Sequence, residues 1–215
     1  MEFTPSKQFK AVIAAIDAEN AEDPRATVVG GETHPFESVY ADRMTESLEQ
    51  LYPDASELLR IAARGQHIRR WEIPRDAYPK NRGGYQKWRR ELRKLHAELV
   101  GNIMRENLYC ADDIEKVGMF LKKEKLKKSP QSQALENVVA VVFLAHYWDG
   151  FVAKNPHYDD DKLIDIVGKT LRKMSTTGHR AALAQNLPED TKRILLAALE
   201  REKFTLAAMA KLEVD

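Results

Sequence analysis

Apolar residues recur at intervals of three and four along almost the whole 215-residue chain, and this spacing restricts the fold more than any other feature. Such a period places apolar side chains on one face of a helix, whereas a half-buried strand would alternate. The run VVAVVFLA at residues 138–145 also has the composition of a buried strand. Its helical neighbours and the lack of a partner strand favour a central buried helix. We therefore predict an all-α protein.

The pattern also predicts where the helices lie. The third helix begins at a capping residue, Asp54 or Ser56, and continues to about Arg70. The segment WEIPRDAYPKNRGGY that follows contains two prolines and a Gly-Gly pair, which predicts a long loop with a functional role. A first predicted helix contains residues 9–16. The other predicted helices cover 36–51, about 86–106, about 111–124 and 131–153, and two or three more lie within 160–175 and 187–213.

The composition predicts one soluble domain. We predict a single all-α domain over 1–215, with an N-terminal helical appendage over 1–30, a core over 31–180 and C-terminal helices over 181–215. Apolar residues make up 43% of the chain, and no apolar run approaches the roughly 20 residues of a membrane span. Cys110 is the only cysteine, so no intrachain disulfide can form. With an N-terminus unlike a secretory signal, we expect a cytoplasmic protein with no membrane partner.

Positive charge is concentrated in one segment. Between Arg60 and Lys94 there are twelve basic residues and three acidic ones, whereas the formal net charge of the whole chain is only +1. A local basic field of this kind favours an anionic partner. The alternative is a solvated face or a network of salt bridges with acidic residues elsewhere in the chain.

Two predicted helices carry the same arrangement of arginine and histidine. Arg60, Arg64 and His67 have the i, i+4, i+7 spacing that places side chains on one helical face, and Arg89, Arg93 and His96 repeat it. Guanidinium groups suit bidentate binding of phosphate or carboxylate, and imidazole suits a divalent metal or proton transfer. Each histidine taken alone is equally compatible with a buried, hydrogen-bonded structural role.

Four segments carry a close resemblance to a known family. They are HPFESVYADRM, AARGQHIRRWEIPRDAYPKNRGGYQKWRRELRKLHAE, QALENVVAVVFL and DKLIDIVGKTLRKMS. Together they resemble domain-of-unknown-function family 4202 over roughly residues 8–200. The resemblance implies a small soluble protein and supplies no settled activity.

The order of the motifs also resembles, more remotely, the HD-domain phosphohydrolases, which are all-α helix bundles. His34 falls at their early histidine, AARGQHI at their AAxxHDI run, and HAELVGNIM at their later histidine helix. Glu136 falls near their distal acid. The resemblance implies an HD-like core and one divalent transition metal, Zn²⁺, Mn²⁺ or Fe²⁺. Its ligands would be His34, His67, His96 and Glu136, with His67 and Glu136 as catalytic residues.

The sequence departs from the HD pattern at the HD pair itself, which is replaced by Gln66–His67. Gln is a poor metal ligand, and no second carboxylate is evident for a two-metal site, so any metal chemistry would use one ion. Two alternatives stay open. Either His67 binds the metal from the aspartate position, or the metal is lost and a histidine-lined, arginine-rich anion pocket remains.

The first functional hypothesis is an HD-like, metal-dependent hydrolase of a phosphorylated small molecule, with a nucleotide favoured. Phosphate would be held by cationic side chains and a base would stack on Tyr85 or Trp88. The alternatives are an RNA-binding protein and a catalytically inactive HD-like module that senses a nucleotide. The residues predicted to bind substrate are Arg64, Arg70, Arg75, Arg82, Tyr85, Arg89, Lys162 and Lys169.

Overall fold

The computed structural model describes residues 3–211 and confirms the all-α prediction. These residues form ten α-helices and one antiparallel hairpin, and no helix among them is long and apolar enough to cross a bilayer. The elements are α1 (Lys7–Ala21), β1 (Ala26–Val29), β2 (Glu32–Pro35), α2 (Phe36–Leu51), α3 (Glu57–Arg64), α4 (Arg82–Glu106), α5 (Ala111–Lys122), α6 (Pro130–Val142), α7 (Trp148–Ala153), α8 (Asp160–Leu171), α9 (Thr176–Leu183) and α10 (Glu189–Lys211).

The described residues form two compact units, divided between residues 125 and 126. The first contains α1 to α5 and the hairpin, and the second contains α6 to α10. The predicted subdivision at residues 30 and 180 stays a prediction.

In the first unit, α4 packs along α5, α3 packs on α2 and α5, and α1 contacts α2, α3 and α4. Their apolar faces meet in one core, as the helical period requires. Ser56, and not Asp54, caps α3, since its side chain accepts a hydrogen bond from the Leu59 backbone N–H at 3.2 Å. Fully buried side chains in this core include Ile16, Met44, Ile61, Leu92, Val100 and Phe120.

The hairpin was not among the predicted elements. Gly30 and Gly31 form its turn with φ of 61° and 89°, a left-handed conformation that glycine adopts without strain. The register pairs Thr27 with His34. His34 therefore lies in β2, two residues before α2 begins.

The third helix ends at Arg64, six residues before its predicted end. A Cβ atom on Gly65 would lie 2.4 Å from Val100 Cγ2, so the chain passes closely over α4 at this point. Turns follow, and Arg69 adopts a left-handed conformation with φ of 47°. His67 therefore lies beyond the helix, and the predicted shared face of Arg60, Arg64 and His67 was wrong.

We expect Gly65→Ala to lower the free energy of unfolding by about 1–3 kcal/mol, because the new methyl group would overlap a buried, branched side chain. Chemical denaturation measures the change. Gly118→Ala is the matched control, since a Cβ there meets only Lys122 Nζ at 4.0 Å and helix propensity favours alanine by about 1 kcal/mol. Equal effects of the two substitutions would contradict the close approach at Gly65.

In the second unit, α6 packs on α9, and α10 packs on α8 and α9. The predicted helix over 131–153 is helical throughout, but a π-helical turn at Phe143–Tyr147 separates α6 from α7. The buried residues of this unit include Leu135, Val138, Val141, Leu171 and Leu195.

Candidate functional site

Two histidines and two arginines of the first unit lie near one another. The turn after α3 contributes His67 and, just beyond it, Arg70, whereas α4 contributes Arg89 and His96. The ring centroids of His67 and His96 are 5.8 Å apart. We call these four residues the histidine–arginine cluster.

The position of His67 is set from three sides. The Tyr40 ring stacks on it, with centroids 3.8 Å apart and planes inclined by 15°. His67 Nδ1 lies 3.3 Å from Glu37 Oε2, and His67 Nε2 lies 3.1 Å from Arg70 Nη1. Because guanidinium only donates hydrogen bonds, Nε2 must carry the lone pair. The ring proton therefore lies on Nδ1, close to Glu37 Oε2, which accepts no hydrogen bond from any residue that the structure describes.

Arg70 is a partly buried cation with no carboxylate at ion-pair distance among the described residues. Its guanidinium lies over the Trp88 ring, 4.8 Å from the centroid, and that ring is fixed by an N–H donated to the Ile73 carbonyl at 2.8 Å. Burial, together with the charge of Arg89, lowers the pKa of Arg70 to about 10. The protein therefore holds this charge at a cost in free energy.

Arg89 likewise has no ion-pair partner within residues 3–211. Burial lowers the pKa of His67 and of His96 well below the usual value for histidine, and the charges of Arg70 and Arg89 lower both further. Both imidazoles are therefore neutral near pH 7. The cluster combines two cations with two neutral rings, which favours an anion.

Three polar atoms beside the cluster lack hydrogen-bond partners in the described part of the chain. They are His96 Nε2, Gln66 Oε1 and Glu37 Oε2, and each residue is at most 2% exposed. Buried polar atoms are nearly always hydrogen bonded in native proteins, so an exception calls for an explanation. A bound ligand or ordered water would satisfy these atoms.

Glu37 joins the cluster to the hairpin. Arg25 Nη2 donates to Glu37 Oε1 at 2.6 Å and to Asp23 Oδ2 at 2.8 Å, and the Glu37 backbone N–H donates to Asp23 Oδ2 at 3.0 Å. The side chains of Asp23 and Glu37 are fully buried. Burial raises the pKa of Glu37 to about 7 despite the charges of Arg25 and Arg70. Glu37 is therefore protonated more readily than an ordinary glutamate.

The residues do not fit the metal that the HD resemblance implies. His34 is 41% exposed, and its Nε2 lies 3.8 Å from Glu32. Within residues 3–211 no group of three or more His, Cys, Asp or Glu side chains is arranged to hold a metal ion. The predicted ligand set of His34, His67, His96 and Glu136 is therefore unsupported, and we derive no step through a metal.

Some residues predicted to bind substrate have acidic partners instead. Arg64 contacts Asp17 at 2.5 Å and Asp42 at 2.6 Å, which matches the salt-bridge alternative. In the second unit, Asp165 lies 2.6 Å from Lys169 and 4.0 Å from Lys162. These contacts partly neutralise all three cations.

The remaining predicted residues lie on the loop and the start of α4. Arg75 donates to the carbonyls of Tyr78 at 2.9 Å and Pro79 at 3.0 Å, so it holds the loop in shape. Arg82 and Tyr85 are exposed in the first turns of α4. The centroid of the Tyr85 ring lies 5.8 Å from that of Trp88, the ring on which the Arg70 guanidinium packs.

Sequence reasoning missed the role of Glu37, because it considered acidic residues only as general partners in a salt-bridge network. One signal was present: Glu37 shares a helical face with Ala41, Met44 and Leu48, all buried. An acid on such a face is rarely buried without a specific partner. The resulting contact with His67 depends on the turn after α3, which the spacing did not predict.

The family model described as Domain of unknown function (DUF4202) matches residues 10–195. The chain belongs to this family. The DUF4202 match includes the hairpin, α2, the turn after α3 and α4, which together supply every residue of the cluster and Glu37. No curated protein and no solved structure matches the chain. The HD-domain resemblance stays a prediction.

Proposed function

We propose that this protein binds the phosphate group of a small phosphorylated molecule at the histidine–arginine cluster, without a metal ion. A nucleotide is the favoured ligand. The observation that carries the proposal is the pair Arg70 and Arg89. The charge of Arg89 lowers the pKa of Arg70, and neither arginine has a carboxylate partner in the described residues.

The neighbouring arginines show how unusual this pair is. Arg60 contacts Glu49 at 3.0 Å, Arg64 contacts Asp17, and Arg69 contacts Glu19 at 2.8 Å. The arginines that support the fold thus have carboxylate partners on α1 and α2, whereas the two in the cluster have none in the part of the chain that the structure describes. A partly buried cation without a counterion lowers the stability of the folded protein, and a bound anion would offset this cost.

Phosphate fits the available groups. Two guanidinium groups can each offer paired N–H donors to phosphate oxygens, and His96 Nε2 has unused hydrogen-bonding capacity. Neutral histidines, and a Glu37 whose pKa is raised by burial, repel a dianion less than ordinary carboxylates would. The exposed Tyr85 ring beside Trp88 offers a face on which a base can stack.

A thermal-shift and calorimetry panel in excess EDTA tests this function. The probes are inorganic phosphate, pyrophosphate, AMP and ATP, with adenosine as the matched control that lacks phosphate. We expect phosphate-bearing probes to stabilise the protein, by about 2.7 kcal/mol at a concentration a hundred times Kd, and adenosine to have no effect. Stabilisation that requires added divalent metal would contradict the proposal. Binding only to long RNA, with a steep dependence on salt, would favour the RNA alternative.

A further inference from the structure

The lone pair of His67 points toward the place where an anion would bind. His67 Nδ1 faces Glu37, and its Nε2 faces the guanidinium of Arg70. A phosphate that took over the N–H groups of Arg70 would therefore lie next to Nε2. In that position, the phosphorus of a ligand held by the two cations would lie against an unprotonated ring nitrogen.

We propose that His67 Nε2 is a nucleophile that accepts the phosphoryl group of a bound phosphate monoester, which makes the protein a metal-independent phosphohydrolase with a phosphohistidine intermediate. This inference rests on the proposed function, because the ester must bind at the histidine–arginine cluster. Histidine is among the side chains that form covalent intermediates of this kind.

The two steps balance with water as the only co-reactant. In the first step, the Nε2 lone pair forms an N–P bond, the ester P–O bond breaks, and the leaving oxygen takes a proton from water. In the second step, a water oxygen attacks phosphorus, the N–P bond breaks, and its electron pair returns to Nε2. Phosphate leaves, and the proton of the attacking water passes to solvent.

The surrounding residues have defined roles in the first step. Arg70 and Arg89 offset the charge on the phosphoryl oxygens in the transition state. The ring becomes positively charged as the N–P bond forms, and the carboxylate of Glu37 lies 3.3 Å from Nδ1 to compensate it. Glu37 and the stacked Tyr40 are positioning residues, since they act through the ring of His67. The lowered pKa of His67 keeps Nε2 unprotonated at neutral pH.

The test uses phosphoramidate, a small donor that transfers a phosphoryl group to imidazole nitrogen. The full-length protein is incubated with phosphoramidate in EDTA, and the site and rate of phosphorylation are read by peptide mass spectrometry at alkaline pH. Exposed histidines, His34 and His157, serve as internal references. His67 is only 15% exposed, so accessibility alone would make it one of the slowest to react.

We expect His67 to be phosphorylated roughly tenfold faster than His157, and Arg89→Met to remove that advantage while leaving His157 unchanged. His67→Asn, which keeps a polar group facing Glu37 and removes Nε2, should abolish the fast phase. Phosphorylation confined to His34 and His157 would overturn the inference. If AMP or pyrophosphate still binds in that case, the proposed function stands and only the nucleophile is rejected.

Discussion

Replacing Arg70 with methionine should weaken binding of pyrophosphate or AMP by about a hundredfold and, at the same time, make the unliganded protein more stable. Removing one charged partner of a buried ionic contact costs about 2–5 kcal/mol of binding, and 1.4 kcal/mol corresponds to tenfold. Without a ligand, Arg70 is a partly buried charge beside a second one, so its removal should raise the free energy of unfolding by about 1 kcal/mol. Calorimetry and denaturant titration measure the two effects.

Arg64→Met provides the matched control in the same unit. Arg64 is paired with Asp17 and Asp42, so this substitution should lower the free energy of unfolding and leave ligand affinity unchanged. The free energy of unfolding should therefore rise in Arg70→Met and fall in Arg64→Met. This difference in sign distinguishes an arginine that binds the ligand from one that stabilises the fold. If Arg70→Met destabilises the unliganded protein and leaves binding intact, Arg70 is a structural residue.

Stability should also depend on pH through Glu37. Its pKa is about 7 in the folded protein, against 4.5 for an ordinary glutamate, chiefly because burial penalises the charged form. A raised carboxyl pKa favours the folded state at low pH, and this advantage is lost as pH rises from about 4.5 through 7. Relative to Glu37→Gln, the wild-type protein should therefore lose up to about 3 kcal/mol of unfolding free energy between pH 4.5 and 8.

The wild-type protein must be compared with Glu37→Gln, because His67 and His96 change the stability with pH in the opposite direction to Glu37. Their lowered pKa values make both proteins more stable as pH rises toward 6.5, and this contribution largely cancels in the difference. Glu46→Gln, at an exposed position of α2, is the control and should show no such trend. A wild-type minus Glu37→Gln difference that is constant with pH would contradict a buried carboxyl with a raised pKa.

The helical period was a good guide to the fold because packing follows it directly. The predicted helix over 36–51 has the observed bounds of α2, and the buried run at 138–145 is helical. The period predicted the end of α3 wrongly, because a close approach between two segments ends that helix at Arg64. Gly65 must pass over Val100, and nothing in its local spacing indicates that contact. The Gly30–Gly31 turn was a visible hairpin signal that the helical pattern on both sides obscured.

The site was predicted in part. The excess of basic residues indicated an anion, and His67 and His96 do lie together. Which arginines lack a carboxylate partner depends on tertiary contacts that the sequence does not show. Arg64 and Arg70 look equivalent in the sequence, but Asp17 reaches Arg64 and no described carboxylate lies at ion-pair distance from Arg70. The metal prediction depended on His34, and the hairpin places that residue in an exposed strand.

Crystals soaked in tungstate, a phosphate analogue with strong anomalous scattering, give the most direct test of the central claim. We expect an anomalous peak within hydrogen-bonding distance of both Arg70 and Arg89, in the presence of EDTA, and its loss in the Arg89→Met protein. A cluster that stays free of tungstate while the ion binds elsewhere, such as the lysine-rich turn at 122–128, would contradict the account.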